Sequence, residues 1–291
     1  MLGLANLRVS ALLGRDQDRE RGNRVPDLVE DVRYELTLAN RILAHEGVLD
    51  AFGHVSVRHP NDPKRYLLSR SRGPELVEPA DILEYDLDSE PLRPPTARLY
   101  SERVIHGEIY KARPEVTSVC HHHAPAVMPY AISGEDIVPV FHLGAVIGSK
   151  APFWDQRDEF GDTNLLVIKP EEGRSLARAL GPHWIVMMRR HGATVAGTSV
   201  RETVFRSIYS CRNAEFQTQA RALGRVGQLT AGEVERARAH NLQPGPINRA
   251  WEYWTVRLEK RGEMPPRRQA PVRAAAARSK QRARRTKGRK K

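Results

Sequence analysis

Apolar residues recur three and four positions apart over residues 30–46, EDVRYELTLANRILAHE, at Val32, Leu36, Ala39 and Leu43, and Gly47 ends the run. That spacing lines one face of a helix. The period then changes. In GHVSVR, Val55 and Val57 alternate with Ser56 and Arg58, which predicts a strand entered through Gly53 and closed by Pro60. The turn NDPKR leads to a second strand at YLLSRS that runs into a loop, and DILEYDLD supplies a third. A helix is predicted over ERVIHGEIYKAR, with Ser101 as its N-cap and Pro114 beyond its end. VTSVCHHHAP is β-branched and short, hence a strand ended by Pro125. IVPVFHLGAVI and NLLVIKP read as further strands, EGRSLARALG as a helix, and HWIVMMRRHGATVAGTS as a hairpin turning near His191–Gly192. A long helix follows from about Val200 to Leu223, and Thr230 with Glu233 forms a capping box for another. Irregular alternation with hairpins predicts an α/β sheet covered by helices rather than a strictly parallel winding.

With 291 residues the chain is long enough for one large domain or two small ones. Its net charge of +12 suggests a nucleic-acid binder until the charge is located. Residues 267–291 hold twelve Lys/Arg and no Asp/Glu, so the tail carries the whole excess and the rest of the chain is neutral. The tail has almost no large apolar residues to offset its ordering entropy, and is expected to be disordered. Contact with nucleic acid is conceivable only through this tail, by sequence-independent charge, since no aromatic ring interleaves the cations. Two cysteines make no disulfide framework and fit a reducing cytoplasm. No apolar run is long enough to span a membrane. The expected organisation is a flexible extension over 1–28, a folded domain with C-terminal helices over 29–262, and a basic tail over 263–291.

The chemistry concentrates in SVCHHHAP. Three adjacent imidazoles could be a metal site, a basic patch or an accident of composition. On a strand covering 118–124, His121 and His123 share one face, while His122 and Cys120 share the other. An H-x-H pair presents two nitrogens to one metal. His191, at the predicted hairpin turn, is a candidate third ligand, against a plain turn histidine. Glu102, in the first turn of the helix that precedes the H-x-H strand, is a candidate fourth ligand or acid/base, against a carboxylate that merely complements the helix dipole. Three histidines with an open position suit a catalytic divalent ion, zinc or manganese among them.

GHVSVR at 53–58, SERVIHGEIYKARPEV at 101–116, VCHHHAP at 119–125 and RRHGATVAG at 189–197 together resemble the class II aldolase/adducin family. The resemblance covers about residues 30–225. It implies a three-layer α/β/α domain with a central, largely antiparallel sheet, and a homo-oligomer, usually a tetramer, with sites between subunits. Carried onto this sequence it makes His121, His123 and His191 the ligands of one divalent ion per subunit, and Glu102 the acid/base.

The chain departs from the sugar-phosphate aldolases where those grip phosphate. His54 stands where Asn is expected, the loop reads Ser69-Arg70-Ser71-Arg72, and paired serines have become Tyr100-Ser101. These residues, with GSKAPFWD at 148–155, look like the decarboxylase branch of the family, whose members act on hydroxylated aromatic dicarboxylates such as dihydroxyphthalates and hydroxypyridine dicarboxylates. Arginine pairs bidentately with carboxylates, and on an extended 67–72 segment Arg70 and Arg72 share a face. His142 and Trp154 are further candidates for the pocket. The expected function is therefore a metal-dependent decarboxylase of an aromatic di-acid, a carbon–carbon lyase. A metal-dependent aldolase, epimerase or dehydratase on a hydroxy-carbonyl substrate is the alternative, and a catalytically silent binding protein using its tail is the third reading.

Overall fold

The computed structural model describes residues 28–267. The expectations for residues 1–27 and for the tail from 268 onward lie outside the described residues.

Seven strands form one sheet: β1 (His54–Arg58), β2 (Arg65–Ser69), β3 (Ile82–Asp86), β4 (Ser118–His122), β5 (Phe153–Trp154), β6 (Ile185–Met188) and β7 (Gly192–Gly197). Their order is β3-β2-β1-β4-β7-β6-β5. Every pairing is antiparallel except β5 with β6, so the sheet is mixed but largely antiparallel, as expected. The α-helices are α1 (Leu28–His45), α2 (Val104–Ala112), α3 (Met128–Ser133), α4 (Arg157–Phe160), α5 (Pro170–Leu180), α6 (Val200–Leu223), α7 (Ala231–Asn241) and α8 (Pro244–Arg261).

Alternation along the strands divides the interior in two. Val55, Val57, Cys120 and Val195 face a core built with α1, α6 and α8. Leu68, Val119, Val186 and Ala196 face the other, built with α2 and α5. The long helix α6 has the predicted bounds, with Ser199 Oγ accepting from the Glu202 amide, and the Thr230/Glu233 capping box opens α7. In α8, Ile247, Trp251, Trp254 and Leu258 pack at helical spacing.

Two predicted strands are not strands. Around Val138 and Val140 the backbone bonds to side chains of α6. Asn213 Oδ1 accepts from the Val140 amide at 2.9 Å and Asn213 Nδ2 donates to the Val138 carbonyl at 2.8 Å. Gln217 does the same for the Val138 amide and the Asp136 carbonyl. In NLLVIKP the amides of Val167, Ile168 and Lys169 donate to the carboxylates of Glu102 and Glu172. Each apolar run reads locally as a strand, but its backbone groups are satisfied by polar side chains from elsewhere.

Candidate metal centre and active site

The site is built on the sheet face that packs against α2. His54, His121 and Thr194 are cross-strand neighbours in one row over β1, β4 and β7. Two glycines let the backbone close up around it. Gly53 has φ +82°, and a Cβ there would lie 2.9 Å from the His121 carbonyl oxygen. A Cβ on Gly192 would lie 2.2 Å from the His122 carbonyl oxygen, so only glycine lets the β6–β7 turn carry His191 against His123. Strand β4 ends at His122, so of the H-x-H pair only His121 lies within it, yet His123 just beyond still returns to the face of His121. Their Nε2 atoms lie 3.0 Å apart. His122 points to the opposite core, fully buried, with an unpartnered Nε2.

Glu102 arrives from the bend before α2. Ser101 was expected to cap that helix, but it makes no capping bond and is exposed. Residues Ser101–Arg103 form a 3-10 turn, Glu102 takes φ −92° and ψ 19°, and regular helix begins only at Val104. That departure from helical geometry accompanies the inward placement of the carboxylate. Glu102 Oε1 accepts from the Val167 amide at 2.9 Å and lies 3.5 Å from His191 Nε2, while Oε2 lies 3.7 Å from His121 Nε2. One ligand atom from each of Glu102, His121, His123 and His191 falls within 4.8 Å of the others, a cluster that could hold a metal ion.

The donor set fits a divalent cation. Thr194 Oγ1 donates to Met188 Sδ at 3.3 Å, so its oxygen accepts from His121 Nδ1–H at 3.1 Å. That bond fixes the His121 tautomer and turns the Nε2 lone pair toward the cluster, the orientation a ligand needs. Burial, then the neighbouring His191 and His123 rings, hold His121 well below the usual histidine range. His123 is lowered by burial and His191, against a pull upward from Glu102. Neutral imidazoles with facing lone pairs and one carboxylate are what such a cation requires.

The structure joins several of the expected substrate residues to this centre. The His54 ring lies 5.3 Å from that of His121 and 4.6 Å from that of Tyr100, centroid to centroid. Tyr100 Oη donates to the Arg72 carbonyl and accepts from Ser69 Oγ at 3.3 Å. Burial pushes the Tyr100 phenol up. Arg70 and Arg72 do share a side, but both grip one internal carboxylate. Arg70 Nε donates to Asp81 Oδ1 at 2.6 Å and Arg72 Nη1 to Oδ2 at 2.7 Å. Burial raises Asp81, but the Glu78 amide and the two guanidiniums outweigh it and hold the carboxyl below its usual range.

Other expected residues lie apart. Trp154 packs in the α2/α5 core and donates its Nε1–H to Ser175 Oγ at 2.9 Å. His142 is exposed at the start of a 3-10 turn, beside Tyr209 and His240. Ser71 is also exposed, its amide bonded to the Arg98 carbonyl. Conversely, His106 was overlooked. It is fully buried, with Nε2 2.6 Å from His54 Nδ1 and Nδ1 2.6 Å from Ser56 Oγ. The signal was present: Glu102, His106 and Tyr110 recur every four residues on one helix face, opposite His54 and Ser56 on a strand.

The model of the class II aldolase and adducin N-terminal domain family matches residues 34–218. The chain belongs to that family. Its relatives include the decarboxylase tropJ of Talaromyces stipitatus, 33% identical over 76% of this chain and 91% of that protein. A 3,4-dihydroxyphthalate decarboxylase of a Terrabacter species is 30% identical, over 76% of this chain and 94% of the relative. Among solved structures, an L-fuculose 1-phosphate aldolase from Glaciozyma antarctica shares the fold with a TM-score of 0.67 at 20% identity, over 81% of this chain and 92% of that one. Decarboxylases and aldolases both break a carbon–carbon bond, and this family member is a carbon–carbon lyase. No helix among the described residues is long and apolar enough to cross a membrane.

Proposed function

We propose that the protein is a metal-dependent decarboxylase of a hydroxylated aromatic dicarboxylate, of the dihydroxyphthalate or hydroxypyridine-dicarboxylate type. The observation that carries this reading is the convergence of Glu102, His121, His123 and His191 in a chain similar, over nearly their full length, to proteins named as decarboxylases. His121, His123 and His191 would hold the ion, with Glu102 in reach as a fourth group. When bound, zinc or manganese supplies Lewis acidity that draws electron density from the ring hydroxyl oxygen.

The remaining work falls to the chain. Loss of CO2 leaves the bonding pair on a ring carbon, and a proton from Glu102 takes the place of the carboxylate there. Glu102 is then reprotonated from water. The Val167 amide keeps one oxygen of Glu102 fixed while the other is free to act. Arg70 and Arg72 bring two positive charges to the single charge of Asp81, and the surplus suits the substrate carboxylate that stays behind. His54 and Tyr100, between that loop and His121, supply polar contacts to the ring substituents. Leu166 and Ile168 flank the Val167 anchor and are 37% and 41% exposed, which favours a second copy of the chain covering this side, in a homo-oligomer such as a tetramer.

Elemental analysis of the purified protein should find about one divalent ion per chain. A CO2-release screen over hydroxylated phthalates and pyridine dicarboxylates should then find a substrate. Glu102→Gln should keep the fold, since its amide oxygen can still accept from Val167, and lose at least ~100-fold in rate. A fully active variant would move the proton donor elsewhere. Aldehyde release from a sugar phosphate, with no CO2 from any di-acid, would replace this reading by the aldolase one.

A further inference from the structure

A buried hydrogen-bond chain runs from α2 to the site. Tyr110 Oη lies 2.7 Å from Ser56 Oγ, which lies 2.6 Å from His106 Nδ1, and His106 Nε2 lies 2.6 Å from His54 Nδ1. None of the four residues is more than 3% exposed. His54 Nε2 ends the chain. It makes no hydrogen bond to any other described residue. From there the His54 ring faces His121 and Tyr100.

Such a chain can be polarised either way, and the far end decides which. The Tyr110 hydroxyl needs an acceptor, and among the described residues Ser56 Oγ is the only one it reaches. Arg58 covers the ring, its carbon 4.7 Å from the centroid, and donates to the Tyr110 backbone carbonyl rather than to the phenol. The Val119 backbone reaches the phenol oxygen as a donor, so it takes up none of this demand. Were the chain to run outward, the phenol proton would be buried without a partner, which costs about 1–3 kcal/mol. Run inward, every donor is used: Tyr110 to Ser56, Ser56 to His106 Nδ1, and His106 Nε2–H to His54 Nδ1. His54 must then carry its own proton on Nε2.

We infer that Tyr110, Ser56 and His106 are positioning residues which lock His54 in its Nε2–H tautomer, so that it donates a hydrogen bond to an anionic oxygen of the substrate beside the His121 cluster. The identity of that oxygen rests on the decarboxylase reading; the tautomer does not. The lock also separates two neighbouring histidines by role. Thr194 makes His121 present a lone pair, while His106 makes His54 present a proton. Side by side in one strand row, one imidazole suits a cation and the other an anion.

Solid-state 15N spectra of the full chain labelled at histidine test this, as isolated and after zinc addition. The His54 signals are found by difference against His54→Gln. They should show a protonated Nε2 and a bare Nδ1. A protonated Nδ1 with a bare Nε2 overturns the inference whatever the enzyme turns out to decarboxylate. Ser56→Ala cuts the chain by deleting one oxygen, and should give a mixture of both tautomers. If that variant folds and keeps the pure Nε2–H form, the relay does not set the tautomer. Phthalate added to the zinc-loaded protein should move the His54 Nε2–H resonance, and the shift should be diminished in Ser56→Ala. No movement in the wild type overturns the substrate contact. In steady state, Ser56→Ala should raise KM for the di-acid two- to fivefold with little change in kcat, a split that a loosened fold would not give. If the tautomer is as stated but no di-acid releases CO2, the decarboxylase reading fails and the lock stands.

Discussion

Adjacent residues in the histidine run have opposite fates because a strand sends successive side chains to opposite faces. His121 enters the cluster with Glu102, His123 and His191, whereas His122 is buried among the side chains facing α1 and α6. His121→Ala and His123→Ala should each lose the bound metal in elemental analysis, and His122→Ala should retain most of it while losing stability from the cavity left behind. Equal metal loss from all three would sink the assignment. At this scale the sequence was informative about the cluster, since alternation and the position of Glu102 before the strand are local. It was uninformative about Arg70 and Arg72. Their shared side could be read from the chain, but the Asp81 carboxylate that engages both sits in a turn whose approach no spacing reveals. His106 was missed for a similar reason: a lone histidine on a helix becomes notable only when a second polar stripe is known to face it.

Elements were legible wherever their hydrogen bonds close within or between neighbouring strands and helices. The first strand, the hairpin at His191 and the long helix α6 are of that kind. Segments 137–147 and 164–169 were not. The α6 amides of Asn213 and Gln217 act as an imitation strand for the first, and carboxylates serve the second. Gly144 belongs to the same packing, because a Cβ there would sit 2.0 Å from Asn213 Oδ1. Asn213→Ala should therefore leave a backbone amide and a carbonyl unpaired. The expected loss is about 2–3 kcal/mol, read as a lower urea midpoint at an unchanged slope. A change within a few tenths of a kcal/mol would mean that water or a shifted loop takes over these bonds.

At the scale of the whole fold, the described residues form two apolar cores on either side of a sheet, one of them interrupted by a polar seam running from Tyr110 to Glu102. The sequence pattern implied the sheet and its helical cover, but not that one core would hold neutral imidazoles. His106 shows the consequence for stability. Burial pushes its pKa down to about 3, so the folded chain refuses a proton that the unfolded chain binds near pH 6.5. Its contribution is full above pH 6.5 and is lost as pH falls from there toward 3, at about 1.4 kcal/mol per unit. Urea midpoints at pH 7 and pH 4.5 should differ more for the wild type than for His106→Gln; an equal difference would assign the acid sensitivity to other groups. The row of His54, His121 and Thr194 carries a further consequence. A slip of one residue between β4 and β7 would send His121 to the opposite side of the sheet from Thr194. Cys120 and His122 would take the places of His121 and His123, and the cluster with Glu102 and His191 would be broken. Proofreading of strand register is thus built into the site: a chain that takes up an ion at this cluster has already demonstrated that β4 is correctly aligned with the hairpin that carries His191.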